Sequence, residues 1–361
     1  MAQPARIAMP IFACGTGNDV YFRRLAAGLN GLGLRAEVLP LPWWFEFLPA
    51  VPDRFRRTLR SYDLVHTNSD WGACFHTPGK PLVITIHHCV LNRWYRPYTG
   101  VSQRLYHGGL LRRRLRQATE LAHTIFCPSR ATRDAAIDVF PSVANKIRHV
   151  PHGIDLRIFQ PSPSCQRKRN TLLSVGAISR RKGAELFPAL MDALGPDFHL
   201  QYIGRGNGSL LRHPRIEWRG TVRSDELVTL YRTCAVYVSL SRLEGFGYTV
   251  AEAMSCGTPV VAPAGSSLPE LIGDSAPQLF HPDDVSECAE RIRAICRDEE
   301  LRDSLGRENR QRAEQFFSMD RMLGAYVAAY RKALEPAVGV SSVGPLPDGS
   351  LGTAKSDRLL G

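Results

Sequence analysis

Short apolar runs alternate with longer amphipathic stretches along most of the chain, and this alternation limits the possible folds more than any other feature of the sequence. Twelve runs rich in β-branched or other apolar residues are typical of strands, and the stretches between them have helical periodicity. The predicted strands are residues 6–11, 35–39, 64–67, 82–86, 124–127, 147–150, 171–175, 198–203, 216–218, 236–239, 259–262 and 277–280. Repeated strand–helix–strand units produce parallel sheets. The sequence therefore predicts an α/β fold of the doubly wound, parallel-sheet type.

The 361 residues are too many for one hydrophobic core of ordinary size, so we expect two domains. Six predicted strands lie on each side of residues 159–170, FQPSPSCQRKRN, whose composition is typical of a linker. The predicted parts are an N-terminal domain (1–158), a hinge (159–170) and a C-terminal domain (171–335), whose last helix is a candidate to pack back on the first domain. Residues 336–361, rich in Gly, Pro and Ser, predict a disordered tail.

The positive charge of the chain is concentrated in its first half. There are 46 Lys and Arg against 34 Asp and Glu, a net charge of +12. Up to Val150 there are 20 basic and 9 acidic residues, and from Pro151 onward there are 26 and 25. No stretch approaches the ~18 consecutive apolar residues of a membrane span. Nine cysteines without a Cys-x-x-Cys pair indicate neither a disulfide framework nor a zinc site. We therefore expect a cytoplasmic protein, soluble or peripheral on the inner face of the membrane.

A glycine loop follows the first predicted strand. Gly15, Thr16 and Gly17 stand between that strand and the first helical stretch. Ligands of open α/β sheets bind at the carboxyl ends of strands, where a glycine loop lets backbone N–H groups approach a phosphate or a sugar. Such loops are as often required only by the turn itself, and both interpretations remain open.

Two histidines follow the fourth predicted strand and precede an aromatic, basic loop. His87 and His88 come at its end, and Trp94 and Tyr95 lie in the loop NRWYRPY. Stacking rings with hydrogen-bonding neighbours suit a carbohydrate acceptor. A lone histidine at such a place is often only a hydrogen-bond partner.

Three cations follow the first strand of the second half. Arg180, Arg181 and Lys182 precede a predicted helix, whose N–H groups would add to their charge. The pattern favours an anion site for a phosphate, with a solvated basic turn as the alternative.

The most informative segment carries two glutamates. Glu244 follows strand 236–239, and Glu252 lies about two turns into the next predicted helix. Two carboxylates so placed could hold hydroxyl groups at the two ends of one ligand, with a diphosphate between them at the helix N-terminus. A metal site is the competing interpretation. Because the chain has no Asp-x-Asp and no His or Asp beside these glutamates, we expect no metal and no other cofactor.

These segments together carry a family resemblance. The matching residues are EGFGYTVAEAMSCGTPVVAP from Glu244, VGAISRRKG from Val175, VPHGID from Val150, ITIHH from Ile84, AHTIFCPSRATRDA from Ala122, and Glu270 in SSLPELI. The sequence resembles family 4 of the retaining, nucleotide-sugar-dependent glycosyltransferases. That family has the GT-B architecture, two facing Rossmann-like domains, and the resemblance reaches to about residue 330.

The resemblance implies a role for each matching residue. Glu252 would bind the ribose of the donor, Glu244 would lie beside the donor sugar, and Lys182 would neutralise the departing diphosphate. The remaining implied donor contacts are His87 at the hydroxymethyl end of the sugar, the loop Gly15, Thr16 and Gly17, and the backbone of Phe246, Gly247, Tyr248 and Thr249. One departure matters, because Ala177 stands where the family usually has Arg, and Arg181 would have to supply the second cation. His152 replaces a frequent Asn.

The resulting hypothesis is a retaining, metal-independent hexosyltransferase. The donor would be a UDP- or GDP-hexose, and the acceptor a glycan or lipid-linked sugar of cell-surface polysaccharide or glycolipid synthesis, held beside His88, Trp94 and Tyr95. A sugar-nucleotide epimerase or a phosphorylase of the same architecture is the nearest alternative. A nucleic-acid-binding protein would suit the charge, but no helix-turn-helix or RNA-recognition pattern is present, so we expect no nucleic-acid partner.

Two arginine clusters in the first half suggest a membrane surface. The first combines Arg104, Arg112, Arg113, Arg114 and Arg116 with an apolar stripe of Leu111, Leu115, Ala118 and Ala122. The second combines Arg54, Arg56, Arg57 and Arg60 with Trp43, Trp44, Phe45, Phe47 and Phe55. Such surfaces bind anionic headgroups, so we expect the first domain to dock on the cytoplasmic face of the membrane. The alternative is the solvated face of an ordinary packed helix.

Overall fold

The first half of the chain forms a six-stranded, all-parallel sheet. The computed structural model describes residues 4–13, 17–47 and 51–335, so Cys14, Gly15, Thr16 and the predicted tail lie outside the described residues. The strand order is β2-β1-β3-β4-β5-β6. The strands are β1 (Arg6–Ala13), β2 (Arg35–Pro42), β3 (Leu64–Asn68), β4 (Leu82–Thr85), β5 (Thr124–Cys127) and β6 (Ile147–His149).

Helices cover both faces of this sheet. They are α1 (Gly17–Gly31), α2 (Asp53–Leu59), α3 (Gly72–Phe75), α4 (Val101–Tyr106), α5 (Arg112–Leu121) and α6 (Arg130–Val139), with a π-helical turn, His107–Leu111, joining α4 to α5. Gly72 packs tightly against Ile84 and Ala118, which places α3 and α5 on one face. The next strand residue, Thr85, points to the opposite face and contacts Tyr21 of α1.

The second half repeats the architecture. Its sheet is also six-stranded and parallel, in the order β12-β11-β10-β7-β8-β9. The strands are β7 (Lys168–Val175), β8 (His199–Ile203), β9 (Ile216–Trp218), β10 (Cys234–Val238), β11 (Val260–Pro263) and β12 (Leu279–Phe280). The helices are α7 (Phe187–Leu194), α8 (Ser224–Thr233), α9 (Tyr248–Ser255), α10 (Leu268–Ile272), α11 (Val285–Arg297), α12 (Glu299–Phe316) and α13 (Met319–Leu334). The predicted α/β fold with two doubly wound sheets is confirmed.

The last helix returns to the first domain. Met322, Leu323 and Tyr326 of α13 are buried in the same core as the strands of the first sheet. Buried hydroxyl groups add polar contacts. The hydroxyl oxygens of Tyr21 and Tyr326 are 2.5 Å apart, and Nδ1 of His66 lies 2.6 Å from the hydroxyl oxygen of Tyr330. The first domain is therefore completed by the C-terminal end of the described chain.

The segment between the domains is shorter than the predicted hinge. β7 already begins at Lys168, three residues before the predicted boundary, because residues 168–170 extend the strand. Phe159, the first predicted hinge residue, is 3% exposed and packs in the core of the second domain. An aromatic side chain with a place in a core cannot behave as a free linker residue.

The predicted amphipathic stripe of α5 is part of the core rather than a surface. Leu111, Leu115, Ala118 and Ala122 are all buried in the first domain, and Arg114 is buried with them. Between residues 101 and 121 the large apolar side chains that reach solvent are instead Val101, Leu105, Leu110 and Leu121, which are 73%, 75%, 42% and 38% exposed. No helix among the described residues is both long and apolar enough to cross a bilayer.

Candidate functional site

Two cavities lie side by side between the domains, at the carboxyl ends of both sheets. The first, of about 560 Å³, is lined from the segments after β1, β4 and β6, from the end of β3 and the loop after it, and from the segments after β7 and β10. The second, of about 580 Å³, is lined from the loop after β4, from α6 and from the segments after β10, β11 and β12. His88 and Glu244 are the two residues that line both. We call them the first cavity and the second cavity.

Arg181 and Lys182 bring positive charge to the first cavity. They lie on a 3-10 turn, Arg180–Lys182, and not directly ahead of a long helix as the sequence suggested. Gly183 ends this turn with φ +67°, and a Cβ there would lie 2.1 Å from the carbonyl oxygen of Leu240, so only glycine fits. A second 3-10 turn follows, and α7 begins at Phe187. The positive charge at this turn therefore comes from the side chains of Arg181 and Lys182 and not from the N-terminus of α7.

Glu244 and Lys182 form an ion pair where the two cavities meet. The Nζ of Lys182 donates to Oε1 of Glu244, and the side chain of Glu244 is only 8% exposed. Burial alone would raise the pKa of Glu244, but the charges of Lys182 and Arg181 outweigh burial and hold that pKa below the ordinary carboxyl range. Glu244 is therefore ionised, and Lys182 carries the balancing charge.

The loop after Glu244 brings the two domains into close contact. A Cβ on Gly245 would lie 1.8 Å from the carbonyl oxygen of His87, so the absence of a side chain permits this approach. Gly247, with φ +100°, turns the chain into α9. All four predicted residues of this loop line the first cavity: Phe246, Gly247, Tyr248 and Thr249. The first N–H groups of an α-helix have no partner within the helix, so this end of α9 can receive an anion.

Two neutral histidines form part of the wall of the first cavity. Nδ1 of His87 and Nε2 of His152 are 3.2 Å apart, so one ring donates to the other. Burial and then the charge of His88 lower the pKa of His87 to about 3, and burial lowers that of His152 as well. Nε2 of His87 and Nδ1 of His152 are buried and have no hydrogen-bond partner among the described residues. These nitrogens can serve a ligand hydroxyl group.

Gly17 lines the first cavity beside Asn18, but Gly15 and Thr16 lie outside the described residues. Asn68, the last residue of β3, and Asp70, just after it, line the cavity too and were missed by the sequence reasoning. The rule that ligands bind at the carboxyl ends of strands could have indicated them.

The second cavity contains all three predicted acceptor residues. His88, Trp94 and Tyr95 line it, and Trp94 is 63% exposed. Burial and then the charge of Arg181 lower the pKa of His88 to about 4, so its ring is neutral near pH 7. The structure adds residues that the sequence reasoning did not select, Thr132, Asp134 and Asp138 of α6, Arg242 and Asp283. The segment PSRATRD directly follows β5, and the strand-end rule would have pointed to it.

Glu252 does not line either cavity. It is the fifth residue of α9, a little over one turn from its start rather than the predicted two, and it is 6% exposed. Arg24 of α1 donates to its Oε1 at 3.3 Å, and the hydroxyl of Tyr231 donates to its Oε2 at 3.2 Å. Nothing in the local sequence of Glu252 indicates these partners, because Arg24 belongs to the other domain.

Glu270 joins the two domains at a second place. Its carboxylate accepts hydrogen bonds of 2.7 Å from the backbone N–H groups of Arg130 and Ala131, at the start of α6. A carboxylate at a helix N-terminus is stabilised by the unpaired N–H groups and by the helix dipole. The N-terminus of α6 in the first domain is thus capped by a side chain of the second domain.

No group of three or more His, Cys, Asp or Glu among the described residues lies close enough together to hold a metal ion. The expectation that the protein uses no metal or other cofactor stays a prediction.

Two family models match successive halves of the chain. Residues 5–158 match the model described as Glycosyltransferase Family 4, and residues 158–312 match the one described as Glycosyl transferases group 1. The boundary between the two matches falls at the end of the predicted first domain.

Individual proteins extend the similarity. The chain is 31% identical over 208 residues to sulfoquinovosyl transferase SQD2 of Arabidopsis thaliana, which is 52% of this chain and 41% of that protein. It is 27% identical over 298 residues to MMP alpha-(1->4)-mannosyltransferase of Mycolicibacterium hassiacum, 76% of this chain and 71% of that protein. The chain thus spans less than half the length of the first relative. The solved structure of Anabaena Alr3699/HepE in complex with UDP-glucose superposes with a TM-score of 0.75 at 18% identity, over 91% of this chain and 100% of that one.

Proposed function

The chain belongs to the family 4 glycosyltransferases with the GT-B fold, and on that premise we propose that it transfers a hexose from a UDP- or GDP-hexose to a glycan or lipid-linked acceptor. The donor would occupy the first cavity and the acceptor the second. The observation that carries this proposal is the meeting of the two cavities at His88 and Glu244. A transferase needs two binding spaces with one shared wall, where the sugar leaves one partner and joins the other.

The charge of the first cavity supports a nucleoside diphosphate as the leaving group. When the anomeric C–O bond breaks, negative charge grows on the departing phosphate, and nearby cations lower the barrier. Lys182 and Arg181 both line this cavity, next to the start of α9. Ala177, which replaces the usual Arg, lines it as well, so Arg181 is the cation placed to compensate. We infer that no metal is required.

We propose that the anomeric configuration is retained through attack on the same face. The acceptor oxygen forms the new C–O bond as the bond to the diphosphate breaks, and its proton passes to the departing phosphate. A double displacement would need a carboxylate free to act as the nucleophile. Glu244 is the carboxylate at the junction, and it is ion-paired with Lys182. The pairing supports the same-face route because a carboxylate held in an ion pair is a weaker nucleophile.

The acceptor side supports a sugar. Trp94 and Tyr95 present aromatic rings to the second cavity, and rings of this kind stack on the apolar faces of sugars. A neutral His88 can accept a hydrogen bond from the acceptor hydroxyl at the junction. An epimerase of the same architecture acts on the donor alone and would have no use for the second cavity, so the transferase is the better interpretation.

We propose that the acceptor is reached at the cytoplasmic face of the membrane, in cell-surface polysaccharide or glycolipid synthesis. The segment from α4 to α5 carries exposed Val101 and Leu105 beside exposed Arg104, Arg112 and Arg113. Apolar side chains between cations are typical of a surface that rests on anionic headgroups. Trp94, in the wall of the second cavity, comes shortly before this segment in the chain.

Nucleotide binding tests the proposed donor site. UDP or GDP should raise the Tm of the purified protein by a few degrees, because a ligand that binds only the folded state stabilises it. Glu252→Ala should lose this protection, while Glu290→Ala, an exposed glutamate of the same domain, should keep it. Protection by no nucleoside diphosphate would argue against the proposed function.

A further inference from the structure

Glu252, the proposed ribose ligand, already accepts three hydrogen bonds from protein groups. Arg24 donates from Nη1 and Nη2 to Oε1 at 3.3 and 3.4 Å, and Tyr231 donates to Oε2. Burial raises the pKa of Glu252, and these two partners offset part of that rise. A buried carboxylate without such donors would lower the free energy of unfolding, so these contacts stabilise the nucleotide-free protein.

Arg24 reaches Glu252 from the opposite domain. It lies on α1 of the first domain, whereas Glu252 and Tyr231 belong to the second. Its guanidinium also faces the rings of Phe159 and Tyr248, at 5.8 and 6.0 Å from the ring centres. Arg24 therefore has a formed seat, made of one carboxylate and two aromatic rings. The Arg24 side chain is 32% exposed, so it can move into solvent without crossing the core.

The first cavity ends before this seat. Tyr248 and Thr249 at the start of α9 line the cavity, but Glu252 and Arg24 do not. A diphosphate at the start of α9 would place the ribose close to the next turn of the helix, where Glu252 stands. The Arg24 side chain, which contacts Glu252, would then fill the space that the ribose needs.

We propose that Arg24 is a latch on the donor site: it occupies the ribose position in the nucleotide-free protein and must leave before Glu252 can bind the ribose hydroxyl groups. This inference rests on the proposed function, because it takes Glu252 as the ribose ligand. The donor exchanges a charged partner of Glu252 for neutral hydroxyl groups. Only molecules with an open latch bind nucleotide fully. The apparent affinity is therefore the intrinsic affinity multiplied by the fraction of molecules in which the latch is open. Since the latch joins the domains, donor binding also loosens one of their contacts.

Substitution of Arg24 separates a latch from a ligand. Arg24→Met keeps the apolar stem against the two rings but removes the guanidinium. It should lower the Tm of the nucleotide-free protein and, in the same preparation, tighten UDP or GDP binding by about fivefold or more, the lower end of the usual coupling between sites. Arg24→Lys retains a single charge without the planar fork and should give an intermediate affinity. Arg23→Met, an exposed neighbour on the same helix, is the matched control and should change neither quantity.

The measurement is isothermal titration calorimetry with UDP and with GDP, after circular dichroism has shown that each variant is folded. Weaker nucleotide binding in Arg24→Met would mean that Arg24 contacts the nucleotide itself and would overturn the latch. Unchanged binding would overturn it too. If the wild-type protein binds neither nucleotide, the proposed donor site is wrong. If the wild-type protein binds a nucleotide and Arg24→Met binds it equally well, only the latch is wrong.

Discussion

The ion pair of Lys182 and Glu244 lies where the two cavities meet. In the proposed function Lys182 would stabilise the departing diphosphate, and its ion-pair partner Glu244 lines both cavities. The sequence could indicate both residues, because each follows a strand at the carboxyl edge of the sheet. It could not indicate that they pair, since 62 residues separate them and the contact depends on the neighbouring positions of β7 and β10.

The pKa of Glu244 gives a pH-dependent prediction at this scale. Its pKa is held below the ordinary carboxyl range in the folded protein. The carboxylate therefore contributes stability above the unfolded pKa, and that contribution is lost as the pH falls through the folded pKa. Glu244→Gln should cost about 2 kcal/mol near neutral pH, the size of a hydrogen bond to a charged group.

The difference between the wild type and Glu244→Gln should shrink as the pH falls. Chemical denaturation of both proteins between about pH 7 and pH 3 measures it. Glu290→Gln is the exposed control and should stay parallel to the wild type. A difference that stays constant over this pH range would show that folding does not lower the pKa of Glu244.

At the scale of elements, the strands were predictable and the surfaces were not. All twelve predicted strands are present, with ends that differ by a few residues, because buried parallel strands require unbroken apolar runs. The apolar stripe of α5 was recognised, but the sequence left open whether it faces a membrane or packs in the core, and the structure buries it. Periodicity shows that a helix has an apolar face, yet Leu115 looks the same in a sequence whether it meets a membrane or the core.

The exposed apolar and basic side chains of the segment from α4 to α5 predict binding to anionic membranes. The protein should co-sediment at low salt with vesicles of phosphatidylcholine and phosphatidylglycerol. Arg112→Gln with Arg113→Gln should weaken this binding by roughly fivefold for each charge, from about 1 kcal/mol per cation near the surface. Leu105→Gln should weaken it further, because Leu105 is 75% exposed.

The matched control for this prediction removes two exposed cations of the second domain. Arg297→Gln with Arg307→Gln changes the net charge equally but should leave vesicle binding unchanged. If the control binds as weakly as the Arg112 and Arg113 variant, the interaction reflects net charge and not a specific surface. If the wild type does not sediment at all, the membrane proposal is wrong.

At the scale of the whole molecule, the domains are joined by contacts that no local pattern could predict. Arg24 meets Glu252 and Glu270 caps α6, each across the cleft. In the same way α13 completes the core of the first domain from the far end of the chain. The sequence could assign residues to sheet edges, but how the two edges face each other follows from the tertiary fold. That arrangement creates the two adjoining cavities on which the proposed function depends.

The most direct test of this account is the release of nucleoside diphosphate from a panel of UDP- and GDP-hexoses, with and without simple glycan acceptors. We predict that at least one donor is cleaved and that Lys182→Ala slows its cleavage by about 100-fold or more, as expected when a group that stabilises developing charge is removed. Lys168→Ala, an exposed lysine of the same domain, should cleave that donor at the wild-type rate. Cleavage of no sugar nucleotide, or cleavage that does not depend on Lys182, would contradict the account.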